Sequence, residues 1–244
     1  MQRQRIWDLP VRLFHWLLVA SIVFAYVSGQ IGGNLIDWHG RAGFFIVGLV
    51  VFRIVWGFLG SPTARFLNFI RGPGAIRAYL RGEWRGIGHN PLGALSVLGL
   101  LVLVGAQAAT GLFTNDDIAY QGPFADLVGK ELSDRFHTWH ALLQNGLLAL
   151  VIVHVAAIVF YVRFKGENLV KPMVTGWKEV EADAAPVSQA PATQSSRGGG
   201  LVAFIVSVII AGGATYAAAG GLQPAPAPAP ATPAVRRPAP GRGP

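Results

Sequence analysis

The chain has 244 residues, of which 52% are hydrophobic and only 13% charged, against roughly 25% charged in an average soluble domain. That balance belongs in lipid. Cysteine is absent, which excludes disulfides, thiolate-held iron–sulfur clusters, cysteine-held zinc and the C-x-x-C-H attachment of a haem.

Taken in chain order, Arg3 and Arg5 precede a first apolar run at 11–30, and further runs follow at 42–60, 91–113, 139–162 and 201–222. Each is near the roughly 20 residues that cross a hydrocarbon core. The first run is longer than the core of an ordinary signal peptide and encloses His15, so it reads as a retained span. Between the second and third runs, Arg65, Arg77 and Arg81 alternate with Phe66, Phe69, Ile76, Tyr79 and Leu80. This mixture suits a helix lying in the membrane interface. Trp7, Trp16, Trp38, Trp56, Trp84, Trp139 and Trp177 fall near span ends, where most are expected to act as interfacial anchors.

The expected organisation is all-α and membrane-embedded: a four-helix transmembrane bundle over 1–178 plus one extra C-terminal transmembrane helix. Residues 179–200, rich in Ala, Pro, Gln and Ser, read as a flexible linker. The extra helix covers 201–222, with Gly212, Gly213, Gly220 and Gly221 available for close packing. A Pro/Ala-rich tail at 223–244 is expected to be extended and disordered.

Basic residues near span ends are retained on the cytoplasmic side. Residues 1–12 carry Arg3, Arg5 and Arg12; 61–90 carries Arg65, Arg71, Arg77, Arg81 and Arg85; 163–178 carries Arg163, Lys165, Lys171 and Lys178. These three segments are expected inside, and the acidic 114–138 connection outside, as in a multi-pass protein of a bacterial inner membrane. The N-terminus is then cytoplasmic and the tail periplasmic. Because the basic residues gather at membrane edges, the sequence pI near 10.4 needs no nucleic-acid partner.

That topology sorts four histidines into two levels. His15 enters from the inside, and His39 from the outside. His140 and His154 stand fourteen residues apart on one helix, about 21 Å along the axis and within roughly 40° of one face. The inner pair is His15 with His154; the outer pair is His39 with His140. A single histidine in a span is often only a hydrogen-bonding residue between helices. Four at two matched depths point to function, because polar side chains inside a membrane are costly. Two neutral imidazoles from different helices are what a six-coordinate b-type haem requires, so these four are the candidate iron ligands of two non-covalent haems. His137, roughly 100° off the face of His154, reads as interfacial.

The stretches RIWDLPVRLFHW, HGRAGFFIVGLVVFRIVWGFLGSPTARF, GHNPLGALSVLGLL, HALLQNGLLALVIVHV and NLVKPMVTGWK resemble the bacterial cytochrome b561 family, including the b-type cytochrome subunits of nickel–iron hydrogenases. The resemblance covers about residues 4–178. It implies a four-helix di-haem core whose ligand positions match His15, His39, His140 and His154. It also implies electron exchange between the quinone pool and a periplasmic or membrane redox partner, such as a hydrogenase or a c-type cytochrome. The fifth span and the tail depart from the family pattern.

Arg53 lies fourteen residues after His39, on the same face and toward the inner level. Its guanidinium suits a haem propionate; the competing reading is that it snorkels to the inner interface. His89 could serve a propionate or a quinone head group, or be structural. Asn90 beside it is a candidate for the same cofactor edge, or is structural, since it is placed to cap the third span with Pro91 as first helical residue. Two readings from other classes are an ion transporter built on membrane histidines and a haem-free membrane anchor. The transporter predicts carboxylates within the spans, and the anchor leans on the Pro-rich extension.

Overall fold

The first span begins where Asp8 turns the chain, its carboxylate accepting from Val11 N at 2.7 Å, with a proline in the first turn. In the computed structural model, which describes residues 2–84, 89–180 and 199–223, helix α1 then runs over Leu9–Ile31. It stops at Gly32, whose φ of 64° is readily reached without a Cβ. One 3₁₀ turn leads into α2, Ile36–Leu59. The connection that follows α2 contains two short helices, α3 (Phe66–Phe69) and α4 (Pro73–Leu80). The interfacial segment is therefore an elbow rather than one continuous rod. Helix α5 spans Pro91–Phe113. A turn of α6, Ala125–Val128, precedes α7, Lys130–Phe164, which begins nine residues before the apolar run at 139. Helix α8, Val170–Thr175, follows, and α9 covers Leu201–Ala218.

Two short strands, β1 (Gln2–Arg5) and β2 (Trp177–Val180), pair antiparallel and join the two ends of the four-span core. Strand β2 runs two residues past the core boundary expected at 178. Gly176 O accepts from Ile6 N and Trp7 N, while Arg12 Nη1 donates to Val174 O at 2.5 Å. Residues 181–198 and 224–244, where most of the expected linker and tail fall, lie outside the described residues.

Five of the described helices are long and apolar enough to cross a membrane. Helix α2 is the axis of the assembly: α1, α5 and α9 all pack on it, and α7 packs on α5. Its buried face carries Ile46, Leu49, Val50, Phe52 and Trp56. The outward face of α7 leaves Leu142, Ile152, Val153 and Val159 uncovered. Helices apolar on exposed as well as buried faces suit lipid rather than water.

Helix α9 docks along α2 through a contact that its own glycines do not make. A Cβ on Gly48 would fall 2.0 Å from Thr215 Oγ1 and 3.2 Å from the Ala211 carbonyl, whereas one on Gly212 or Gly213 would meet nothing within 4 Å. The small residue that permits close approach is thus on α2. Phe204 adds edge contacts to Phe52 and Trp56. Gly199 N donates to Leu59 O at one end of α9, and Gln223 bonds Pro123 O near the other. Trp56, expected as an interfacial anchor, is instead 1% exposed, and its indole N–H donates to Asp8 Oδ2 at 3.0 Å. Trp16, Trp38, Trp139 and Trp177 are exposed.

Candidate cofactor cleft

His39 stands one turn into α2 and His140 ten residues into α7. The fold brings their rings to 6.0 Å between centroids, crossed at 85°. His39 Nδ1 lies 2.7 Å from the Ala25 carbonyl of α1, and His140 Nδ1 lies 2.9 Å from the Gln107 carbonyl of α5. A carbonyl can only accept, so each ring carries its proton on Nδ1 and presents the Nε2 lone pair. Metal-ligating histidines are commonly oriented in this way, the second nitrogen donating to a backbone carbonyl. The Gln107 amide nitrogen occupies the His140 Nε2 lone pair at 3.1 Å, while Gln107 Oε1 is buried without a partner.

Glycines make the room. A Cβ on Gly29 would lie 2.8 Å from His39 Nδ1, and one on Gly111 would lie 3.0 Å from His140 Cε1. Beside the pair, between α1 and α7, opens a cleft of about 220 Å³, walled in part by Ile22, Val104, Leu147 and Val151. Among the described residues no group of three or more His, Asp or Glu side chains could hold a metal ion. Two imidazoles at a large apolar cleft suit a metal that arrives with its own in-plane donors, and an iron porphyrin fits that description.

His15 and His154 are both half-buried. His15 Nδ1 is buried without a hydrogen-bond partner. Arg53, 3% exposed, is in the same condition at Nη1. Its guanidinium carbon sits 4.6 Å from the ring centre of Phe66 and 6.0 Å from that of Phe69. The side chain is held inside by aromatic faces and does not reach out to the interface.

His89 is packed between Trp7 at 4.4 Å and Phe69 at 4.5 Å. Burial, then the charge of Arg53, pushes its imidazole down to about 3, so it is neutral at physiological pH. Asn90 caps α5 by accepting from Gly93 N at 2.7 Å and donates to Tyr161 Oη at 3.1 Å. Both functions of its amide are engaged in the fold. Reading the sequence alone missed Asp8, which ties α1 to Trp56 and Ser61 and faces Arg53 electrostatically. An Asp two residues before Pro10 is a helix-start signal, and it was available. Tyr120, described below, carried no comparable local signal.

A sequence profile of prokaryotic cytochrome b561 matches residues 6–176. A protein of Azotobacter chroococcum mcd 1, named a probable Ni/Fe-hydrogenase B-type cytochrome subunit, is 28% identical over 219 residues, covering 73% of this chain and 89% of the relative. The Azotobacter vinelandii protein of the same name aligns equally well, at 28%. The probable Ni/Fe-hydrogenase 1 B-type cytochrome subunit of Escherichia coli K12 is 24% identical over 213 residues, covering 71% of this chain and 89% of that protein. No solved structure matches.

Proposed function

The chain belongs to the prokaryotic cytochrome b561 family, and from that premise we propose that it carries electrons through a membrane by way of two b-type haems, between a redox partner and the quinone pool. The observation that supports this best is the pairing of His39 and His140, whose ring centroids lie 6.0 Å apart while each ring has Nδ1 on a backbone carbonyl, leaving Nε2 as the nitrogen for iron. Bound haem supplies reversible one-electron chemistry at iron.

The residues supply placement and environment. The carbonyls of Ala25 and Gln107 lock the two imidazoles and raise their basicity. Apolar walls around the pair keep water away and lower the local dielectric. His15 and His154 serve as the ligands of the inner haem. Arg53, with a buried unsatisfied N–H group, pairs with an inner carboxylate. His89 and Asn90 border that level, where neutral His89 is able to donate one N–H to a carboxylate or to a quinone carbonyl.

The relatives' names point to a hydrogenase as the partner; a c-type cytochrome or another redox protein would use the same route. The setting is a bacterial inner membrane with the N-terminus cytoplasmic and the tail periplasmic, following the basic residues of 1–12, 61–90 and 163–178. Purified protein should show a b-type absorption spectrum and two haems per chain, and dithionite-reduced protein should be reoxidised by added quinone. A colourless protein would favour the anchor or transporter and end this reading; two haems that quinone fails to reoxidise would end the quinone assignment alone.

A further inference from the structure

A second chamber touches the outer histidine pair, and its chemistry differs from that of the large cleft. It measures about 120 Å³ and lies under the connection between α5 and α7. The large cleft is walled mainly by aliphatic side chains, with Tyr26, Gln107 and Gln144 beside the histidines, whereas this one carries Thr114, Asp116, Tyr120 and His137 on a smaller apolar wall. His39 and His140 line both spaces. A planar group held by the pair therefore has one edge in apolar surroundings and another among hydrogen-bonding groups.

We propose that Tyr120 and His137 form the carboxylate-binding end of the outer site, receiving the propionate edge of its porphyrin, while the hydrocarbon edge occupies the aliphatic cleft. The proposal rests on the reading of His39 and His140 as haem ligands.

Tyr120 is delivered to this position by a built turn. Asp116 Oδ1 accepts from Ile118 N, Ala119 N and Tyr120 N at 2.8–2.9 Å, and Asp116 N donates to Tyr120 O at 3.1 Å. The phenol then lies directly on Gly40, the residue after His39: a Cβ there would fall 2.6 Å from the Tyr120 ring and 2.8 Å from its hydroxyl. Any larger residue at 40 would displace it. The Tyr120 hydroxyl makes no hydrogen bond among the described residues, and burial, then the charge of Asp37, raises its pKa, so it remains a donor. His137 stands at the mouth with Nδ1 at 3.1 Å from Thr114 Oγ1. With that hydroxyl donating, the ring proton is on Nε2 and free for an acceptor. Asp116 is the one acid in the chamber lining, and the oxygen nearest the turn is saturated by three backbone N–H groups. Two donors converge, then, beside an iron-ligand pair, at the polar end of an otherwise apolar site.

The test uses the full chain, purified with its haems, in the wild type, Tyr120→Phe, and Tyr120→Phe with His137→Leu. The expected result is two haems per chain throughout, a lower midpoint for one of the two redox components, and shifted propionate-bending resonance Raman bands in that component only. The lower midpoint follows because a propionate stripped of donors stabilises ferric iron. Should the double variant lose a haem, Tyr120→Phe, which keeps the ring on Gly40, is read by the same bands. Two haems with unmoved bands and midpoints overturn this proposal and spare the parent one. Wild-type protein without haem overturns both.

Discussion

The surroundings of His39 and His140, the outer level of the proposed topology, and those of His15 and His154, its inner level, are built to different specifications. At the outer level the protein itself satisfies the imidazoles: Ala25 and Gln107 carbonyls take the Nδ1 protons, and Gly29 and Gly111 leave the rings space. At the inner level Arg12 Nε, His15 Nδ1 and Arg53 Nη1 are all buried without partners. Such groups are expensive, about 1–3 kcal/mol each when left unsatisfied and more when charged. The outer imidazoles are fixed before anything binds and the open donors beside them, Tyr120 and His137, are half-buried or exposed, while the inner end has fully buried donor atoms awaiting an acceptor. A ligand that supplies the missing acceptors stabilises the folded state by binding it selectively, so occupancy of the inner site should couple more strongly to stability than occupancy of the outer.

The largest effect that could break this contrast comes from removing ligands level by level. His140→Ala and His154→Ala should each lower haem content from two per chain to one, but the His154→Ala protein should melt at the lower temperature in a detergent-solubilised thermal scan. Equal melting temperatures would remove the distinction. A smaller and sharper effect is expected from Arg53→Leu. Losing the cation should lower the midpoint of the inner haem and leave the outer one in place, and the haem-free protein should become more stable, because a buried unpaired charge has gone. A redox titration and a melt of haem-depleted protein read the two halves separately. The smallest effect concerns the outer connection. Burial pushes the Asp116 carboxyl up, but the N–H groups of Tyr120, Ile118 and Ala119, helped by His137, outweigh it and hold the pKa below the ordinary value. A depressed pKa means that the turn's stabilisation is complete above the ordinary carboxylate range and is lost as pH falls below it. Protection of the amides of 118–120 against hydrogen exchange, relative to the unfolded chain at the same pH, should therefore fall in that acidic window, and Asp116→Asn should abolish the step.

Much of this architecture could be read along the chain, because it follows from helical rise. The spans, the separation of His140 from His154 and the capping role considered for Asn90 are local properties of pattern and spacing. Arg53 was recognisable as a candidate partner for a propionate, though not its seat against Phe66 and Phe69, which come from the other side of a turn. What escaped was set by distant partners. Nothing near Gln2–Arg5 announces pairing with Trp177–Val180. Gly40 reads as an ordinary helical glycine until Tyr120, eighty residues on, is laid over it. The glycines of α9 suggested a packing surface, yet the close approach is made by Gly48 of α2, since which face of an all-apolar helix is used depends on its neighbour. Trp56 looked like its six counterparts until Asp8 arrived to accept its N–H.

The pairing of β1 with β2 alters how the bundle can come apart. Chain ends are ordinarily where a fold frays first, each peeling independently. Here the first residues of the core are zipped to the last, so α1 and α8 must let go together, and a disturbance at either end is felt at both. The weakest points of a linear bundle have been made to guard one another.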